Sequence, residues 1–182
     1  MKLYKTILMA AIAISSLSAC SQNKQKDMNE NKTLVVYFSA TGTTKNVANK
    51  LANMANADIC EIVPQQIYTD DDLNWHNSHS RSSVEMNDPD SRPTIKDMEI
   101  NPNNYDRIFI GYPIWWDLAP RTINTFIEKY KLEGKTVIPF ATSGGSSITN
   151  SVENLKKLYP DINWQKGKLL NNPSENNIRQ IL

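Results

Sequence analysis

Strand-like and helical segments alternate along most of this chain, which predicts an α/β fold built on a parallel sheet. Two further features support that class. Three of the strand-like runs are almost continuously apolar, as expected of strands covered by helices on both faces. The segments between them place apolar residues at the spacing of one helix face.

The order begins with a segment outside the fold. Lys2 and Lys5 precede an unbroken apolar run, Ile7 to Ile14, which is too short for the ~20 residues that span a bilayer. Small residues follow and end in 17-LSAC-20, a signal-peptide pattern. It resembles a bacterial lipoprotein signal, which implies cleavage before Cys20, lipidation of that cysteine, and an exported protein anchored at the membrane. The segments are then 1–19 as signal peptide, 20–32 as a flexible polar tether, and 33–182 as one domain. Without residues 1–19, Lys+Arg falls from 20 to 18 against 19 Asp+Glu. That balance gives no nucleic-acid footprint. Cys60 is the only cysteine of the domain, so no internal disulfide forms there.

Strands are expected at Thr33–Ser39, Ala57–Val63, Arg107–Pro113, Thr136–Thr142 and about Gly167–Asn171. Helix faces follow from Val47, Leu51 and Met54; from Ile123, Phe126, Ile127 and Tyr130, with Pro120 near the start; and from Val152, Leu155, Leu158 and Tyr159. Ser174 is an N-cap candidate for a short last helix. Residues 64–104 break the rhythm with Pro64, Pro89, Pro93 and Pro102. Tyr68, Leu73 and Trp75 make this long insert a packed cover and not a disordered loop.

The loop after the first strand, 39-SATGTTKN-46, sets one glycine and four hydroxyls before a helix. Backbone N–H groups and the positive end of a helix dipole make such a loop an anion site. Neither G-x-G-x-x-G nor G-x-x-x-x-G-K-[ST] is present. Hydroxyls that donate with freely rotating hydrogens suit one terminal phosphate better than a triphosphate. The plainer reading is a solvated turn whose hydroxyls cap the helix. Other chemistry is thin. His76 and His79 form an H-x-x-H in the polar insert without supporting cysteines, so no metal is assigned. No G-x-S-x-G elbow supports a hydrolase. Arg81 and Arg92 are expected in surface ion pairs with Glu85 or Asp88 and not on an anionic substrate.

The pattern [ST]-x-T-G-x-T, carried by Ser39, Thr41, Gly42 and Thr44, resembles the phosphate loop of flavodoxins. The likeness runs from Thr33 to about Asn171. The words 72-DLNW-75, 80-SRSSVEMNDPDSRP-93 and 112-YPIWW-116 resemble a subgroup with a long insert. It implies a doubly wound, five-stranded parallel sheet of order 2-1-3-4-5 with FMN at the switch point between strands one and three. It further implies phosphate contacts from Ser39, Thr41, Gly42, Thr43 and Thr44. Ring contacts would come from Tyr112, Pro113, Ile114, Trp115 and Trp116, and from Ser143, Gly144, Gly145 and Ser146. Trp115 is the favoured stacking residue. The implied role is electron transfer, or two-electron reduction of a small planar acceptor such as a quinone, with a redox partner protein or small molecule. The alternative is an exported lipoprotein that keeps the fold but has lost the flavin. The step 115-WWDL-118 has no glycine, so a peptide flip needing φ > 0 would strain it. Loop 143–147 has no aromatic to cover the second ring face, leaving it open or covered by Tyr68 or Trp75. Both features lean toward two-electron use.

Overall fold

The structure is a computed structural model and describes residues 32–182. The predicted signal peptide, Cys20 and the tether up to residue 31 lie outside the described residues. Five parallel positions form one sheet of order β2-β1-β3-β4-β5. Its strands are β1 (Thr33–Tyr37), β2 (Asp58–Glu61), β3 (Arg107–Pro113), β4 (Thr136–Thr142) and the fifth position. That last position is split into β5 (Asn163–Trp164) and β6 (Lys168–Leu169), both paired with β4.

The split corrects the single strand expected at Gly167–Asn171, and Pro139 explains it. The carbonyls of Val137 and Ala141 accept Gln165 N–H and Leu170 N–H, each at 2.8 Å. Strand alternation turns position 139 toward the same edge, and Pro139 has no N–H to offer. The fifth strand lets go there and re-pairs beyond. Gly167 sits at the crossing, where a Cβ would lie 3.0 Å from both Pro139 Cγ and Val152 Cγ2.

Helices cover both faces. On one face α1 (Thr43–Ala55) and α5 (Glu175–Arg179) bury Val47, Leu51 and Ile178 against Val35, Phe109, Ile138 and Phe140. On the other, α3 (Arg121–Tyr130) and α4 (Thr149–Leu158) bury Ile123, Phe126 and Leu155 against Leu34, Val36, Ile108, Ile110 and Val137. The alternation along each strand thus feeds two separate cores.

The insert is folded. Its ends are zipped together by Gln65 N–H to Thr94 O and Lys96 N–H to Val63 O, both 2.8 Å. A helix not foreseen from the sequence, α2 (Arg81–Asn87), starts at Ser80, whose side chain caps Ser83 N–H. Its buried face is Ser82, Ser83 and Met86, so a single apolar residue faces inward and no apolar period shows. The buried Arg121 ties this helix to α3, donating to the carbonyls of Glu85 at 3.3 Å and Met86 at 3.0 Å. A cation at a helix C-terminus satisfies orphan carbonyls and complements the dipole. Trp75 departs from the expected cover: it is 66% exposed and its ring lies 3.5 Å from that of His76.

Candidate functional site

The C-terminal ends of β1, β3 and β4 are neighbours in the sheet, so the loops that follow them meet at one edge. That edge contains the point where the chain reverses direction across the sheet, between β1 and β3.

In the first loop, Gly42 is the N-cap of α1 in a left-handed conformation, φ 87°. No side chain caps this helix and no acid lies in its first turn. Its first N–H groups and the positive dipole end are therefore left for water or a ligand. Ser39 Oγ accepts Gly42 N–H at 3.1 Å and shapes the turn. Thr41 Oγ1 and Thr43 Oγ1 stand 3.3 Å apart on the exposed side. Thr44 departs from its expected place among the free hydroxyls. It is 1% exposed, and its Oγ1 shares a 2.8 Å hydrogen bond with Thr142 Oγ1, tying α1 to the end of β4. Lys45 is drawn off to Glu61 at 3.0 Å, so no basic side chain of this loop serves the nest.

The second loop folds back on itself. Trp115 N–H reaches Leu118 O at 3.0 Å and Leu118 N–H reaches Trp115 O at 2.9 Å. Between them Trp116 (φ 45°) and Asp117 (φ 65°) are both left-handed. Two-residue turns of this form favour Asn-Gly; a left-handed Trp116 costs roughly 1–2 kcal/mol, and Asp117 less, because aspartate tolerates this region. A peptide flip needing positive φ is expected to strain this glycine-free step; here positive φ is already present at two of its residues. That strain is offset by the two turn hydrogen bonds and by Asn150 Nδ2, which donates to Asp117 Oδ2 at 2.8 Å from the start of α4. Backbone strain of this kind gathers at functional sites.

The two tryptophans diverge, as adjacent residues at a loop tip should. Trp115 is half-buried and meets the rings of Phe38 and Tyr68 edge-on. Trp116 is 43% exposed. The side chain of Tyr112 does not line the edge. It is fully buried, its hydroxyl sits 3.1 Å from Ser151 Oγ, and burial pushes its pKa up to about 12. Pro113 and Ile114 are half-buried. Ile114 N–H extends the ladder to Thr142 O at 2.8 Å.

The third loop offers fewer donors than its sequence suggests. Ser143 Oγ accepts the N–H groups of Gly145 at 3.2 Å and Ser146 at 2.8 Å. Ser143 N–H goes to Asn171 Oδ1 at 2.8 Å, and Asn171 Nδ2 returns to Ser143 O at 2.7 Å. Gly144 and Ser147 N–H have no acceptor among the described residues. The Asn171 amide acts as one more rung beyond β6, pinning the loop to the sheet. Asn171→Ala removes both bonds, worth about 1–2 kcal/mol together in this exposed setting. Amide exchange at Gly145 and Ser146 should rise about tenfold by NMR, with exchange at Val137 and Ile138 unchanged; uniform exchange across all four would show that Asn171 does not fasten the loop.

Thr142, Asn150 and Asn171 were not singled out in the sequence. A polar residue at a strand end (Thr142), in the first turn of a helix (Asn150) or just past a strand (Asn171) is their only local signal, and each is a common one. The remaining sequence candidates lie apart from this edge or are already engaged. Arg81 pairs with Glu85 at 2.6 Å, as expected. Arg92 pairs with Glu128 at 2.9 Å and not with Asp88, because α3 passes beneath the insert. Among the described residues no three His, Cys, Asp or Glu side chains cluster for a metal, and no helix is long and apolar enough to cross a membrane. A concavity of about 500 Å³ opens at the opposite end of the sheet, around Arg107, Glu133 and Lys135. It touches none of the three loops.

Comparison with known proteins gives a consistent result. The flavodoxin family model matches residues 32–182. A flavoprotein structure from Bacteroides eggerthii is 61% identical, covering 83% of this chain and 95% of its own, with a TM-score of 0.81. One from Bacteroides uniformis is 54% identical over 82% of this chain and 96% of its own, with a TM-score of 0.79. A flavoprotein from Lactobacillus acidophilus, solved in complex with FMN, is 24% identical over 77% of this chain and 93% of its own, with a TM-score of 0.65. At that identity the likeness concerns the fold. No curated protein matches the chain.

Proposed function

Because the chain belongs to the flavodoxin family, we propose that it binds FMN without a covalent bond and uses it in redox chemistry. The reaction we assign is electron transfer, or two-electron reduction of a small planar acceptor such as a quinone. The observation that carries this reading is the first loop. A glycine-led helix start with no side-chain cap faces a pair of exposed threonine hydroxyls, while the nearby lysine is held elsewhere. That donor set fits one phosphate group held by hydroxyls and amides.

In this reading Ser39, Thr41, Gly42 and Thr43 hold the phosphate, with Thr44 acting through its backbone N–H and its tie to Thr142. Trp115 and Trp116 would supply aromatic surface for the isoalloxazine ring, and the N–H groups of Gly144 and Ser147 would be the donors left for its polar edge. FMN, when bound, supplies the one- or two-electron chemistry. The chain binds it, orients it and limits water on the Trp115 side. The choice between one and two electrons no longer rests on the missing glycine, since positive φ is present at Trp116 and Asp117. It rests on the third loop, which has no aromatic to shield the second face, a feature that supports two-electron use on an open ring. Tyr68 is 8% exposed and packed on Trp115, so it gives that face no cover.

The test is direct. The domain lacking residues 1–32 should purify yellow, release its flavin on heating, and rebind FMN in preference to FAD or riboflavin. A colourless protein that ignores all three flavins in titration would favour the flavin-less lipoprotein. Export and anchoring through Cys20 complete the proposal. If Cys20 is the residue that carries the lipid, fatty-acid labelling should disappear in Cys20→Ser. Unchanged labelling would remove the anchor.

A further inference from the structure

The insert has no role in the phosphate nest, yet it reaches the site through one side chain. Tyr68 packs edge-on against Trp115, with centroids 5.3 Å apart at 85°. It also packs against Phe38 at 5.8 Å and 60°, and Phe38 meets Trp115 at 5.5 Å and 87°. The three rings close a triangle. Phe38 precedes the first loop and Trp115 opens the turn of the second, so Tyr68 braces two loops at once. Edge-to-face pairs at these distances are favourable beyond their burial.

Tyr68 is itself fastened. Its hydroxyl donates to Glu85 Oε2. Arg81 Nε donates to the other oxygen, Glu85 Oε1, at 2.6 Å, and its guanidinium carbon lies 4.1 Å from the centre of the Tyr68 ring. Arg81 also reaches Gln66 O at 2.8 Å. The helix carrying Arg81 and Glu85 is held in turn by Arg121. This chain of contacts has no slack at any link: ring, carboxylate, guanidinium and helix end all have fixed partners.

We infer that Tyr68 is a positioning residue: the insert is a buttress that sets the orientation of the Trp115 ring, through the fastening of Tyr68 by Glu85 and Arg81. This rests on the FMN reading for its consequence, but the positioning itself can be read without ligand. A preorganised ring loses little freedom when it stacks, so a fixed Trp115 binds a planar ligand more tightly than a mobile one.

The experiment uses the full domain and two readouts. With the other three tryptophans changed (Trp75→Phe, Trp116→Phe, Trp164→Phe), Tyr68→Leu should raise acrylamide quenching of the Trp115 fluorescence about twofold in the ligand-free protein. Tyr68→Phe, which keeps the ring but loses the hydroxyl's bond to Glu85, should fall between the parent and Tyr68→Leu. In FMN titrations Tyr68→Leu should weaken binding about tenfold in the parent and less than twofold when Trp115→Ala is already present. The loss should be equal for riboflavin, since the ring and not the phosphate is affected. Unchanged quenching, or equal losses with and without Trp115, would overturn the inference. If the parent binds no FMN, the functional reading fails while the quenching result still judges the buttress. Should Tyr68→Leu not fold, Arg81→Met with Glu85→Gln releases the outer fastening, leaves the three rings in the core, and carries the same comparison.

Discussion

Gly111→Ala should destabilise the domain by about 3 kcal/mol or more, the upper end of what overpacking a core costs. A Cβ at this position would lie 2.1 Å from Phe140 Cζ, 2.5 Å from Cε2 and 2.8 Å from Cε1. Real atoms cannot share that space, so the ring or the backbone must move. Neither has room. Phe140 is fully buried, and Gly111 and Phe140 are register partners on the central strands β3 and β4. The glycine is needed here for close approach and not for an unusual φ. Urea denaturation should show the midpoint falling sharply, and Gly111→Ala combined with Phe140→Leu should recover part of the loss. An unfolding free energy within about 1 kcal/mol of the parent would mean that Phe140 can swing aside.

The second large effect concerns the phosphate. Thr41→Val with Thr43→Val should weaken FMN binding about 100-fold and riboflavin less than twofold. Hydrogen bonds to a charged group are worth about 1.5–3 kcal/mol each, and 1.4 kcal/mol is a factor of ten in affinity. The lower end applies here because both hydroxyls are exposed. Thr44→Val should behave differently. Its hydroxyl is spent on Thr142 in the core, so the cost is a buried Thr142 Oγ1 left without its partner, about 1–3 kcal/mol of folding stability. Isothermal titration with both ligands, alongside thermal unfolding, separates the cases. Equal losses of FMN and riboflavin in the Thr41/Thr43 variant would mean that this loop does not hold the phosphate.

The strongest sequence signals were those made by many residues at once. β3 and β4 run from Arg107 to Pro113 and from Thr136 to Thr142, the ranges expected, because central strands buried on both faces must be continuously apolar. The first loop was legible for a similar reason: a strand, a glycine and a helix in fixed order leave one place for the helix start. The fifth strand was not, because its break originates in Pro139 on another strand, with which it pairs across the sheet. The short helix of the insert hid because its buried face is two serines and one methionine, too few apolar residues to show a period.

Composition and order alone determined the α/β class, the anion-suited loop and the three loops at strand ends, since each follows from local spacing that repeats in any fold that uses it. Tertiary structure alone decided which hydroxyls remain free, which tryptophan is braced and what the insert does. Thr41 and Thr44 are alike in sequence, but one faces solvent and the other meets Thr142, 98 residues away. Trp115 and Trp116 are neighbours, but only Trp115 meets Tyr68 of the insert. Those outcomes depend on which distant side chain arrives at 3–5 Å. Hydrogen bonding and ring contact act over only that range, so no local pattern encodes them.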